Sequence, residues 1–372
     1  MLRKFSVLIV FAVLSLGCGH SNDSEPTPWV TEPPNVETRF RLAIDDAIPR
    51  YQLPGIAAGL WQRGRPPVIV LQGEADLQNG IPVASDDHFR IGSVTKSFTV
   101  TVLLQLAQEG LLSLDDPIGQ YLPTLQNPSA TLAELANMTS GVFNYTEDQS
   151  FLQEFIQDFE RPWSEQELLE AADRNPPYFA PGEDWYYSNT NTVALGMVIE
   201  QVTGNSLALE IENRILSPLA LRQTSYPATT AVPTPVARGY GLFEEGAELV
   251  DLTSSSPSAS AGSGAMISGL NDLRTWGEAL GSGRLLTPEM QDLRLRMVPT
   301  DGCPKCPEYD GYGLGIGALN GWIGHTGDYI GYQALVMYEP ETESVAVILV
   351  NLKNFTSSAH VPTDIFRDFA GD

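Results

Sequence analysis

The chain has 372 residues, 42% of them hydrophobic, which suits one large globular domain or two interleaved subdomains and excludes fibrous and disordered classes. Its formal charge of -25 and pI near 4.4 give an acidic surface that repels nucleic acid and anionic lipid headgroups, so DNA and RNA are excluded as partners. Only four lysines (Lys4, Lys96, Lys305 and Lys353) stand among the 21 basic residues, so Lys96 is not one member of a solvated lysine face.

At the N-terminus, Arg3 and Lys4 precede an apolar stretch from Phe5 to Leu16, too short to span a bilayer and typical of an export signal. Its end, Leu14-Ser15-Leu16-Gly17-Cys18, resembles a bacterial lipoprotein cleavage box, which implies a lipid on Cys18; ordinary secretion with cleavage nearby is the alternative. The expected address is therefore periplasmic, membrane-anchored or secreted, with any membrane contact made through that lipid. Residues 19 to 35 are polar and proline-rich, as a tether should be, and 36 to 372 form the folded domain.

Periodicity predicts a helix over Val36 to Ile48 with Phe40, Leu42, Ala43 and Ala47 on its apolar face, then strands at Ile56 to Trp61 and Pro67 to Leu71. Helix signals follow at Ser93 to Glu109, stopped by Gly110. Others come at Glu165 to Arg174 behind a Ser164/Glu167 capping box, Thr190 to Val202, Leu207 to Leu216 and Leu270 to Leu280. Three more strands are expected at Trp322 to His325, Tyr332 to Tyr338 and Ser344 to Leu352, with a closing helix at Asp364 to Phe369. The fold class is α/β in the α+β sense: an antiparallel sheet from 36–92 and 265–372, flanked by helices, with a mostly helical part at 93–264 inserted. A cleft between the two parts is the natural ligand site.

Cys303 and Cys306 lie in a proline-rich loop. One C-x-x-C among scattered histidines lacks the ligand count of a zinc site and the strand and helix context of a redox motif, which leaves a small-ring disulfide stiffening a surface loop.

Ser93-Val94-Thr95-Lys96 opens the first long helix of the inserted part, and the i to i+3 spacing puts both side chains on one face. Serine attack needs a group to take its proton, and a lysine of depressed pKa can do so, while the helix N-terminus offers N–H donors to an oxyanion. The competing reading is a serine N-cap beside a surface lysine.

The flanks decide between them. Phe89-Arg90-Ile91-Gly92 before the serine, Ser97-Phe98 after the lysine, and Gly110 through Pro117 beyond the helix resemble the active-site serine block of the beta-lactamase and penicillin-binding superfamily. The similar subgroup holds class C beta-lactamases, soluble D-alanyl-D-alanine carboxypeptidases, and related esterases and aminopeptidases. The resemblance implies two further motifs, both found in order. Tyr187-Ser188-Asn189 implies a tyrosine that relays protons beside the lysine and an asparagine that holds the lysine and a substrate carbonyl, leaving open whether Lys96 or Tyr187 is the primary base. His325-Thr326-Gly327 implies a substrate-binding strand beside the serine, with Gly327 admitting substrate backbone and the amide of Asp328 joining that of Ser93 as the oxyanion hole. The block from Gly262 to Ser268 also resembles the family but is given no catalytic role, and Met138-Thr139-Ser140-Gly141 replaces a family histidine with Met138.

By the same resemblance the chain is a serine hydrolase working through an acyl-enzyme on Ser93, with no metal or organic cofactor and a small-molecule or peptide substrate. Histidine in place of the family's K-T-G lysine removes a cation that would hold an antibiotic carboxylate. The leading expectation is a D-alanyl-D-alanine carboxypeptidase-like peptidase of cell-wall peptides. An esterase or D-amino-acid amidase is the alternative, motivated by the uncharged run from Gly313 to Ala318 and by Asp328 after the glycine. A beta-lactamase and a non-catalytic penicillin-binding protein are the further ones.

Overall fold

A computed structural model describes residues 35–371 apart from 302, 304 and 305. The export segment, Cys18 and the linker to residue 34 lie outside the described residues. Among the described residues, no helix is long and apolar enough to cross a membrane.

Eight strands build one antiparallel sheet: β1 (Gly55–Trp61), β2 (Val68–Asp76), β3 (Ile81–Pro82), β4 (Gly311–Tyr312), β5 (Gly317–Leu319), β6 (Trp322–Tyr329), β7 (Tyr332–Glu339) and β8 (Ser344–Val350). Their spatial order is β3-β2-β1-β8-β7-β6-β5-β4, so strands from the two ends of the domain meet at its centre, with Ile56 opposite Val350 and Leu60 opposite Ala346. The helices around it include α1 (Val36–Tyr51), α2 (Thr95–Gln108), α3 (Asn189–Thr203), α4 (Leu270–Ser282) and α5 (Val361–Ala370).

Period-two alternation sorts the core into two layers. Ile56, Ala58 and Leu60 of β1, with Ala346 and Ile348 of β8, share a cluster with α1 and α5, where Phe40 meets Phe369 edge to face at 4.9 Å between centroids. Ala57, Val336, Val347 and Leu349 belong to the opposite cluster with Trp276 of α4. Both faces of the sheet are thus covered, and β8 is buried at every position.

Several expectations need correction. Leu42, expected on the apolar face of α1, is 56% exposed, and Ile44 takes its place in the core. A 3-10 turn at Gly92–Val94 carries Ser93, and α2 begins only at Thr95. Every residue of that helix from Thr95 to Leu106 is buried, as happens when a helix runs through the middle of a domain. Short helices at Leu132–Ala136, Gln149–Gln157 and Pro288–Arg294 were not anticipated, because two turns carry too little periodicity to register. The Ser164/Glu167 capping box is present as read.

β6 runs on to Tyr329 instead of ending at His325, and its glycines explain how it does so while touching the Ser93 turn. A β-carbon on Gly327 would lie 2.0 Å from the carbonyl oxygen of Ile91, and one on Gly92, where φ is +49°, would lie 2.6 Å from that of Asp328. Hydrogen side chains at these two positions let strand and turn close on each other. Gly327 was expected to admit substrate backbone; the group that approaches it is the protein's own chain.

Gly327→Ala is therefore expected to cost about 1–3 kcal/mol, as overpacking does, and to lower the urea midpoint of unfolding; an unchanged midpoint would show that the contact yields freely. Glu165 supplies a second test, since burial and then the nearby Glu200 push its pKa up from 4.5 to about 7. A carboxyl with a raised folded pKa lends stability below its unfolded value and loses it as pH rises through the folded one. Glu165→Gln should raise the melting temperature over wild type at pH 8 and have little effect near pH 4.5; equal effects at both would refute the shift.

Candidate active site

Ser93 sits half-buried at the head of α2, and Lys96, one turn on, is completely buried. The Lys96 Nζ lies 3.0 Å from Ser93 Oγ, 2.6 Å from Asn189 Oδ1 and 2.8 Å from the Ser263 carbonyl oxygen. No carboxylate bonds to it among the described residues. Burial holds its pKa well below the usual lysine range. A neutral amine has two N–H donors and one lone pair. Two oxygens that can only accept, and one hydroxyl that can donate, are a complete set of partners for that form.

Asn189 is the first residue of α3, and its backbone N–H is taken by Asn144 Oδ1 at 3.1 Å. Ser188 does not cap the helix with its side chain, and the Asn189 side chain turns to Lys96 and Thr146. The Asn189 amide expected to meet a substrate carbonyl donates to Thr146 Oγ1 at 3.3 Å.

Tyr187 covers the lysine, with its ring centroid 4.9 Å from Nζ. Among the described residues its buried hydroxyl has no hydrogen-bond partner. Burial pushes the phenol's pKa well above its ordinary value, and Tyr309 and Asp328 add to the rise; Ser93 is close enough to oppose it without reaching hydrogen-bond geometry. Met138, at the position of the family histidine, supports this segment: its carbonyl accepts from the Tyr186 N–H at 3.1 Å and its sulfur from the Ser188 N–H at 3.5 Å.

His325 was expected to face substrate, yet it is fully buried behind Tyr187, whose ring centroid is 6.3 Å away. Nδ1 lies 2.5 Å from the Thr326 carbonyl, which can only accept, so Nδ1 carries the proton and Nε2 accepts from the Tyr312 hydroxyl at 2.8 Å. Burial, then the proximity of Lys96, lowers its pKa to about 3, and the ring is neutral. Thr326 is turned into the protein as well, its Oγ1 2.7 Å from the Tyr309 hydroxyl. Asp328 is exposed, and its carboxylate is paired with Lys353. The backbone of Asp328 packs on Gly92, which brings its amide beside that of Ser93.

Sequence reasoning missed four contributors. The block from Gly262 to Ser268, given no catalytic role, supplies the Ser263 carbonyl to Lys96 and braces α2 through Thr99 Oγ1 on the Gly262 carbonyl at 2.8 Å. Its resemblance to the family was the available signal. Tyr309 and Tyr312, which enclose His325, carry no motif that could have announced them. Cys303 and Cys306 are bonded, as expected, but not to stiffen a surface loop alone: both pack on the cluster around Tyr187, and Cys306 Sγ accepts the Tyr187 N–H at 3.3 Å.

Comparison with known proteins gives the family. The Beta-lactamase family profile matches residues 36–366. A D-stereospecific amidohydrolase from Streptomyces sp. is 33% identical, with a TM-score of 0.78 over 90% of this chain and 98% of its own. The D-amino acid amidase from Ochrobactrum anthropi SV3, bound to L-phenylalanine amide, shares the fold at a TM-score of 0.79 and 24% identity over 90% of this chain and 98% of its own. Esterase EstB of Burkholderia gladioli is 29% identical over 229 residues, which are 56% of this chain and 57% of that protein. The chain spans about six tenths of the length of such curated relatives, 57% in one and 63% in another. With a profile covering the described domain almost end to end, and an amidohydrolase sharing its fold and a third of its residues, the chain belongs to the Beta-lactamase family, in the beta-lactamase and transpeptidase-like superfamily of serine hydrolases.

Proposed function

We propose that the protein is an acyl-enzyme amidase or esterase in which Ser93 is the nucleophile and Lys96 the general base. The observation that carries the reading is the hydrogen-bond set of Lys96, whose lone pair is left for Ser93 once both its N–H groups are bound to oxygens that cannot donate. The Ser93 proton passes to Nζ as Oγ attacks the carbonyl carbon, and the amides of Ser93 and Asp328 receive the oxyanion. When the C–N or C–O bond breaks, Tyr187 gives its proton to the leaving group and regains one from the Lys96 ammonium. Water then attacks the acyl carbon as it loses a proton to Lys96, the Ser93 Oγ–acyl bond breaks to release the acid, and Lys96 returns that proton to Ser93 Oγ. A phenol held protonated by burial suits a relay and not a first base.

The choice of amide or ester over a peptide ending in a carboxylate is supported by the neutral, enclosed His325 and by Asp328 in the position next to Gly327. The names of the amidohydrolase and esterase relatives point the same way. The carboxypeptidase reading draws on the His-Thr-Gly pattern. The Cys303–Cys306 bond supports an oxidising compartment.

Intact mass after mixing with an aryl ester, a D-alanyl-D-alanine peptide and benzylpenicillin tests these roles. An acyl adduct and turnover with the ester, both absent in Ser93→Ala, are expected; a long-lived penicillin adduct with peptide turnover instead would establish the carboxypeptidase. Lys96→Met and Tyr187→Phe should each lower kcat by about 10²- to 10⁴-fold. Because the active amine is deprotonated, kcat/KM should rise with pH through a midpoint well below 10.5 and then level off, and His325→Gln should leave that midpoint in place. A midpoint that moves with His325 would overturn Lys96 as the base.

A further inference from the structure

Asp328 follows Gly327 on β6, and its backbone lies against Gly92, one residue from Ser93. Its side chain leaves the sheet and pairs with Lys353, which comes from the short strand Leu352–Asn354 on the far side of β7 and β8 in sequence. The members of this pair are unequal: the aspartate side chain is 44% exposed and the lysine 19%. An approaching group therefore meets the carboxylate first. His360, a further titratable group near this position, is half-buried and donates through Nε2 to the Gly327 carbonyl at 3.0 Å, with Nδ1 2.8 Å from Thr363 Oγ1. Burial lowers its pKa, so it adds no second cation. The negative charge of Asp328 is felt at Tyr187, whose phenol it helps to keep protonated.

Resting on the amidase or esterase reading, we propose that Asp328 selects substrates by charge: it favours an ammonium close to the scissile carbonyl, such as the free α-amino group of an amino-acid amide or ester, and disfavours a carboxylate there. Lys353 sets the strength of that preference by neutralising part of the aspartate. Asp328 is a specificity determinant through its side chain, apart from the oxyanion role of its amide. Coulomb attraction over a few ångströms at a half-exposed site corresponds to a preference of roughly ten-fold.

The test is kcat/KM for three phenylalanine p-nitroanilides of each hand, bearing a free α-ammonium, an N-acetyl cap or an anionic N-succinyl cap, measured on wild type, Asp328→Asn and Lys353→Met. The expected order in wild type is cationic over neutral over anionic. Asp328→Asn should reduce the cationic-to-neutral ratio about ten-fold, Lys353→Met should widen it, and added salt should compress it. Ratios unmoved by either variant, both variants moving the ratio the same way, or a wild type that prefers the anionic substrate would overturn the inference. Turnover of none of the substrates by wild type, or turnover that survives Ser93→Ala, would instead overturn the hydrolase reading on which it rests.

Discussion

The arrangement depends on keeping one amine neutral inside the protein. A buried ammonium without a counter-ion is costly enough that the group sheds its proton instead. The chain has 46 acidic residues against 21 basic ones, yet among the described residues no carboxylate bonds to Lys96. Its partners are two neutral oxygens and a hydroxyl. The enclosure of α2 on every side follows from the same need, because a lysine near the start of a half-exposed helix would reach water and stay charged.

The surroundings of the lysine are held by contacts that take no part in chemistry. Gly92 and Gly327 let β6 press on the Ser93 turn, and the loop from Gly262 fixes α2 from the other side. Tyr187 is carried on a segment tied to Met138 in one direction and to the Cys306 sulfur in the other. Tyr309 and Tyr312 fill the space behind it and hold His325 in one tautomer. Removing any one of these leaves the proposed reacting groups present but free to drift.

Much of this could be read from the chain. The sheet strands and longer helices announce themselves through apolar runs, capping residues and glycine stops, and the spacing of Ser93 and Lys96 places them on one helical face. The limits have physical causes. Thr95, Ser97, Thr99, Thr101 and Gln105 of α2 are polar yet buried, so the helix reads as half-exposed until the neighbours that receive those side chains are known. A backbone carbonyl such as that of Ser263 carries no residue signature, and an aromatic cage assembled from positions 187, 309 and 312 has no spacing to detect. Sequence identity is also silent on direction: His325 reads as an exposed ligand group in the motif, whereas the fold turns it inward and discharges it.

That inward histidine limits how the family's chemistries can interconvert on this scaffold. A relative with lysine in the same strand has an ammonium where this chain has a neutral ring walled by three phenols and set close to Lys96. Exchanging His325 for lysine alone would bury a second amine close to Lys96, among the phenols of Tyr187, Tyr309 and Tyr312 and with no carboxylate bonded to Lys96 among the described residues. Either the new amine would be discharged, and useless as an anchor, or its charge would disturb the proton balance at Ser93. A carboxylate-binding site on this scaffold would thus require changes at Tyr309 and Tyr312 as well as at position 325, because the two phenols fill the space that a solvated cation there would need.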